Sequence, residues 1–343
     1  MSEHLGPARS LPAEPASELP APRWGVDLNE AEREVRSVIR AAPFGRRRPT
    51  PAARLGETVP LPRPLVRLGL FSREDNPPPT AGTHLTLPGG ELHIFGARPS
   101  WRDLRVVLIL TALAKQQSGK LTQTYLPPTR LAAYTSKSKN TRNIEHARAS
   151  LNRLCETKVS FALKGFGEVG TPQRPEHILV RDPHDDDLYV LRPWLASLLE
   201  RGFDREQKTA YIEQNVSWPL MCSLWRAPLL LYAYLEAENW PADGWQRDPA
   251  NPHGDPVHHR ELLLEDPLMA ILDLQDLSPQ AKRLEAVKRA MRLIRGRDWR
   301  YRSFKLYRYG PRGIPVLRVW LAPGKPMESR LWTGDGVQVL QAA

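Results

Sequence analysis

Apolar positions recur at intervals of three, four and three residues in two places along this 343-residue chain. Ile144, Ala147, Leu151 and Leu154 form one stripe, and Leu284, Val287, Met291 and Ile294 form another, displaced by 140 residues. This spacing places one apolar side chain per turn on a single face and predicts amphipathic helices over Asn140 to Cys155 and from Ser278 onward. Ser278 and Pro279 read as the N-cap and first position of the second helix. A short apolar helix precedes each, Pro128 to Tyr134 and Asp266 to Leu272, and strand-like runs follow each. The shared order of elements, more than the stripe itself, predicts two copies of one unit.

The surrounding pattern fills in both copies. Ser100-Trp101-Arg102-Asp103 reads as a capping box opening a helix to about Lys115, apolar nearly all round from Val106 to Leu110, and hence the buried spine of the first unit. Leu224 to Glu238 is the second spine, where Pro228 must lie in the first turn or kink the helix. Strand patterns occupy Gly90 to Phe95, Lys120 to Tyr125, Lys158 to Leu163, His177 to Arg181, Leu188 to Leu191, Trp299 to Tyr309 and Ile314 to Leu321. In the first unit Lys158 to Leu163 is expected to pair with His177 to Arg181 across the Gly-rich tip Gly165 to Gly170. In the second, the hairpin turns at Gly310-Pro311-Arg312-Gly313. Trp240 to Arg260, rich in Pro, Gly and Asp, reads as a loop.

Residues 1–64 lack a core pattern and read as a disordered Pro/Arg-rich tail, apart from a short helical stripe at Ala31, Val35, Val38 and Ile39. The expected fold is α+β, with two tandem winged-helix domains over 65–192 and 193–323 and a second tail over 324–343.

Charge narrows the partner. Between Ser278 and Trp320 there are thirteen Lys and Arg against two acidic residues, a local excess of +11 that equals the formal net charge of the whole chain. A focused positive field favours a polyanion. The two cysteines, Cys155 and Cys222, have no metal-ligand or disulfide spacing, so free thiols in a reducing compartment are expected. With no apolar run of membrane-spanning length, the expectation is a cytoplasmic protein without a membrane partner.

On the second long helix the face opposite the stripe carries Lys282, Glu285, Arg289 and Arg292, with Arg283 beside it. The following hairpin carries Arg300, Arg302, Lys305, Arg308, Arg312 and Arg318 with no acid between them. A cationic helix after a short helix and a turn suits the major groove, and a cationic hairpin suits phosphates. Lys137, Lys139 and Arg142 at the start of the first long helix form a milder cluster, fitting a weaker phosphate grip or a protein contact. Tyr301, Tyr307 and Tyr309 fit either cross-strand packing or stacking on unpaired bases.

Several landmarks occur in a familiar order: Glu91-Leu92-His93-Ile94 before the first spine, Leu151-Asn152-Arg153-Leu154 in the first long helix, and Tyr211-Ile212-Glu213 ahead of Leu229 to Tyr234. From about Leu65 to Leu321 the chain resembles the replication initiators of iteron plasmids, the TrfA type in particular. That resemblance implies binding of the second unit to double-stranded origin repeats, and backbone contact and homodimerisation through the first. It also implies origin opening and recruitment of the host helicase and initiator, without nucleotide chemistry. Arg67-Leu68-Gly69-Leu70-Phe71 is similar to the Gln-Leu-x-Leu-Phe peptide that binds the sliding clamp, with Arg67 in place of Gln. The same Leu68, Leu70 and Phe71 also suit an edge segment packed on the first domain.

Enzymatic patterns are absent or weak. There is no Gly-x-x-x-x-Gly-Lys-Ser/Thr loop for a nucleoside triphosphate, and no pair of histidines spaced by one apolar residue to hold the metal of a nicking enzyme. His184-Asp185-Asp186-Asp187 fits either a divalent-ion site for a nuclease or a solvated turn. His253, His258 and His259 lack a ligand set. The expectation is therefore a DNA-binding protein with no catalytic residue, resident metal or cofactor. A transcriptional repressor on the same fold and a metal-dependent nicking enzyme are the alternatives.

Overall fold

The capping box at residue 100 closes as its residue types require. In this computed structural model the Ser100 N–H donates to Asp103 Oδ2 at 2.6 Å and the Arg102 N–H to Ser100 Oγ at 3.2 Å. The structure describes residues 55, 58–61, 63–75, 77, 79–87, 90–118, 123–136, 140–163, 174–192, 195, 214–237, 245–248, 251–322, 332–333 and 336–337. All of them belong to one compact unit, 42–343.

The described elements begin with β1 (Thr58–Leu61) and α1 (Arg63–Arg67), then β2 (Pro79–Leu87), β3 (Gly90–Ala97) and the spine α2 (Trp101–Ser118). β4 (Gln123–Tyr125), α3 (Pro128–Thr135) and α4 (Thr141–Glu156) follow, then β5 (Lys158–Leu163), β6 (Glu176–His177), β7 (Leu179–Asp182) and β8 (Asp185–Leu191). Next come β9 (Gln214–Ser217), α5 (Trp218–Ser223), the second spine α6 (Ala227–Ala237), β10 (Trp245–Asp248) and β11 (Asn251–Leu263). α7 (Asp266–Ile271), α8 (Gln280–Arg295), β12 (Tyr301–Tyr309) and β13 (Ile314–Leu321) complete the second half.

The two halves repeat a mixed α/β arrangement. The long helices α4 and α8 are both 16 residues, each preceded by a short helix. Within each half a strand placed after the spine pairs with the second strand of a hairpin, giving the antiparallel orders β4-β8-β7 and β11-β13-β12. Asn140 caps α4 by accepting the Asn143 N–H at 2.9 Å. α8 starts later than its sequence suggests: Pro279 occupies the N-cap, without a side-chain bond, and Ser278 lies outside. The stripes face inward as expected, with Ala147, Leu151, Leu154, Val287, Met291 and Ile294 buried.

Three expectations need correction. The hairpin of the first half is β7–β8, turning at residues 183–184, while β5 runs beside β3 and meets β6 over only Lys158 and Val159. Val159 and Phe161 of β5 are buried opposite Ile94 and Leu92 of β3, so the ladder forms there. The loop expected over 240–260 contains β10 and most of β11. Pro252 and Pro256 lie in the arm of β11 paired with β10, whereas β13 pairs with His258 to Leu263, so neither proline interrupts the central ladder. The tail expected through residue 64 ends earlier, since β1 pairs with β9 and buries Val59 and Leu61.

Polar contacts join the halves. Asp273 Oδ1 accepts Arg98 Nη1 at 2.8 Å, while its Oδ2 accepts the Ser72 hydroxyl at 2.7 Å and the Arg73 N–H at 3.0 Å. Arg98 Nη2 also donates to the carbonyls of Gly69 and Ala270, at 2.5 and 3.2 Å. Gly69 sits at φ +65° with Ile271 Cα 3.0 Å from where a Cβ would stand, so only glycine allows this close approach. The clasp fixes α7, and with it the turn into α8, against the first half.

Candidate nucleic-acid interface

Burying one face of α8 determines what the other offers. Val287, Ala290, Met291 and Ile294 pack inward, leaving Lys282, Arg289 and Arg292 exposed. Glu285 shares that surface, 3.7 Å from Arg292 and 3.9 Å from Lys288, so part of the field is offset locally. In water such contacts are loose and readily exchanged for a phosphate.

The β12–β13 hairpin extends beside the start of this helix. Its tip closes through the Gly313 N–H to the Gly310 carbonyl at 3.0 Å, with both glycines at positive φ. Lys305, Arg308 and Arg312 are exposed along it, as is Arg302, which lies over the Trp299 ring at 5.1 Å. Between helix and tip is a cleft of about 380 Å³, where Arg283, Arg308 and Arg312 meet Leu284, Pro267 and Ile314. Two of these arginines also hold the frame. Arg283 donates to the carbonyls of Leu277 and Gln275 at 2.8 and 2.7 Å, and Arg308 to that of Gly313 at 3.1 Å.

Arg300 does not belong to this surface, contrary to the expectation. It is 5 % exposed, and its Nη2 lies 2.7 Å from Glu236 Oε1 and 2.6 Å from Asp298 Oδ2. Tyr301 is also buried and donates to Glu236 Oε1 at 2.7 Å. A guanidinium held between two carboxylates inside the core has no path to a phosphate. Burial pushes the Glu236 carboxyl up, although Arg300 opposes this; the paired acids hold Arg300 firmly protonated. Arg318 is likewise engaged, bridging to Glu261 of β11 and lying 5.2 Å from the Tyr307 ring. Tyr309, by contrast, is 63 % exposed near the tip.

The first half presents a different charge. Arg142 is exposed in the first turn of α4, whereas Lys137 and Lys139 lie outside the described residues. Arg153 turns inward, with its Nε 3.3 Å from the buried Asp103 carboxylate. At the hairpin tip Asp182 Oδ1 accepts the His184 N–H at 2.7 Å, and Asp185 Oδ1 accepts the Asp187 N–H at 3.1 Å. The acids close a turn, the role that asparagine and aspartate serve in such loops. Leu68, Leu70 and Phe71 are buried at 1, 0 and 2 % exposure, so this segment is core and not an exposed clamp-binding peptide. The landmark Tyr211 to Glu213, the Gly165 to Gly170 tip and the helical stripe Ala31 to Ile39 lie outside the described residues.

Among the described residues, no helix is long and apolar enough to cross a membrane. No family model matches the chain, and no curated protein matches it. Among solved structures it is similar to a crystal structure of selenomethionine derivatives of domains 2 and 3 of RctB, at 14 % identity and a TM-score of 0.44, over 76 % of this chain and 98 % of that one. A second crystal structure of RctB domains 2-3 gives 11 % identity and a TM-score of 0.41, over 76 % and 96 % of the two chains.

The residues missed from sequence are the partners of Arg300. Asp298 lies two positions away, and Glu236 is the acid within the otherwise apolar run Leu229 to Ala237. An acid in a buried helix signals a buried cation, because an unpaired charge there is too costly.

Proposed function

We propose that this protein binds double-stranded DNA sequence-specifically and initiates replication of a plasmid or secondary replicon, recognising origin repeats and promoting origin opening and helicase loading. The carrying observation is that α8, which exposes Lys282, Arg289 and Arg292, has its first turns at Arg283 and Leu284 in one cleft with Arg308 and Arg312 of the adjoining hairpin. On this reading each half is a winged helix, α8 enters the major groove, and the β12–β13 wing grips the neighbouring backbone. The initiator role rests on the ordered landmarks that resemble the iteron-plasmid family. On this reading activity is by binding and recruitment, without phosphodiester chemistry, a reading supported by the turn-closing role of Asp182 and Asp185.

Selection from random duplexes, followed by binding measurements on the winning site, tests the reading. Replacing Arg289 and Arg292 by Ala should lower discrimination between cognate and scrambled duplexes. Replacing Arg312 by Ala should weaken both and reduce the slope of log K against log salt by about 0.9 per lost phosphate contact. Direct repeats of the selected sequence, able with this gene to sustain an otherwise replication-deficient plasmid, would support initiation. A single inverted repeat with no replication would point to a repressor, and unchanged affinity in all three replacements would remove the DNA reading altogether.

A further inference from the structure

The β2–β3 hairpin carries a side-chain cluster that DNA binding does not use. Leu92 and Ile94 of β3 are fully buried, so the pleat directs Glu91 and His93 to the opposite face. Antiparallel register places His84 opposite His93 and Thr86 opposite Glu91, which brings His84 to that same face. The two imidazoles stack with centroids 4.0 Å apart and planes 13° apart, and Glu91 Oε2 lies 3.9 Å from His84 Nε2. One ligand atom from each of His84, Glu91 and His93 falls within 4.8 Å of the other two.

We propose that these three side chains form a Zn2+ site, supplying two imidazole nitrogens and one carboxylate oxygen and leaving the fourth position to solvent. Tetrahedral Zn2+, with bonds of about 2.0–2.1 Å, holds its ligand atoms about 3.3 Å apart. The donors need to close by roughly 1.5 Å at most, and the imidazoles, now stacked 13° from parallel, must turn out of their stack so that both ring planes contain the ion; χ rotation of side chains 51 % exposed at His84 and 54 % at Glu91 supplies both movements. The backbone ladder already fixes the register, so little further ordering is required. Imidazole with one carboxylate selects Zn2+ and its transition-metal neighbours over Mg2+ or Ca2+. β2 pairs with β3 alone among the described strands, and a metal held by both would fasten this edge.

The test is calorimetric titration of Zn2+ into the chelator-stripped full chain, with Mg2+ as control and thermal melting alongside. A site lost in the His84→Ala, His93→Ala double variant is expected, with a Zn2+-dependent rise in Tm lost in parallel and no response to Mg2+. Glu91→Gln should weaken Zn2+ binding by about tenfold or more, while melting like the wild type when metal-free. Absence of Zn2+ uptake by the wild type, or the same stoichiometry and affinity in the double variant, would overturn the assignment.

Discussion

Replacing Arg300 by Met separates a core ion cluster from a DNA contact. The Arg300 side chain is 6 % exposed, and its two carboxylate partners, Glu236 and Asp298, are 2 and 0 % exposed. Removing the cation leaves both acids buried without their common partner, and breaking a buried pair in this way costs about 3–5 kcal/mol. At about 2 °C per kcal/mol for a unit of this size, Tm should fall by about 6–10 °C. The pH dependence has a definite sign. Burial already raises the folded Glu236 pKa above its ordinary 4.5, and loss of Arg300 raises it further. A raised carboxyl pKa gives stability that is present below the unfolded value and lost as pH rises through the folded one. The deficit of the variant should therefore be smallest near pH 4.5 and grow toward pH 7. Melting curves across that range, with DNA binding measured well below both midpoints, give the two readouts. Wild-type melting combined with weakened DNA binding would refute the reasoning and return Arg300 to the surface.

Two further substitutions probe the links between the halves. Asp273→Asn keeps a side chain that tolerates the φ of +56° at this position but removes the charge facing buried Arg98, so a loss of about 3 kcal/mol is expected by chemical denaturation. Asp75 is one-third exposed and joins Arg102 at 3.0 Å to Arg226 at 2.9 Å. Burial pushes its carboxyl up, but bonds from Arg226, Arg102 and Trp101 outweigh this and hold it below the usual 3.8. Its contribution is thus present above that pH and lost as pH falls through the folded value. Asp75→Asn should cost no more than about 1 kcal/mol near pH 7, and the difference from the wild type should shrink as pH falls below 3.8, as judged by melting.

The helices were legible because their signals are local. A three-four-three stripe and a capping box at Ser100 act within a few residues, and the helices formed where these signals lie, with only the start of α8 displaced past the Ser278 expected to cap it. Strand partnership was not legible in the same way. Lys158 to Leu163 could satisfy its apolar face against any strand of matching alternation, and the strand that won, β3, lies upstream of the intervening spine. Charge followed the same division. Arg289 and Arg292 face outward because four apolar neighbours on α8 face inward, a relation readable from spacing alone. Arg300 is drawn inward by Glu236, 64 positions earlier, which no local pattern couples to it. The His84, Glu91 and His93 cluster was hidden likewise, because β2 was not expected and its register with β3 is what unites them.

The repeat gains functional meaning from the charges at its two hairpin tips. The second tip presents Arg308 and Arg312, while the first, built on an equivalent pairing of strands, presents Asp185, Asp186 and Asp187. On the DNA-binding reading proposed above, a phosphate approaching the first tip would meet repulsion and one approaching the second would be attracted, so duplication of the scaffold would not duplicate the hairpin's electrostatic grip. On the same reading the exposed Arg142 at the head of α4 would give the first half a contact made by the helix and not by the hairpin. The Arg98–Asp273 clasp then matters for geometry: by fixing α7 against the first half, it sets the angle at which α8 leaves the shared core. If both halves engage one duplex, that angle favours a particular spacing between their footprints, and loosening it through Asp273→Asn should broaden the tolerated spacing before it abolishes binding by α8.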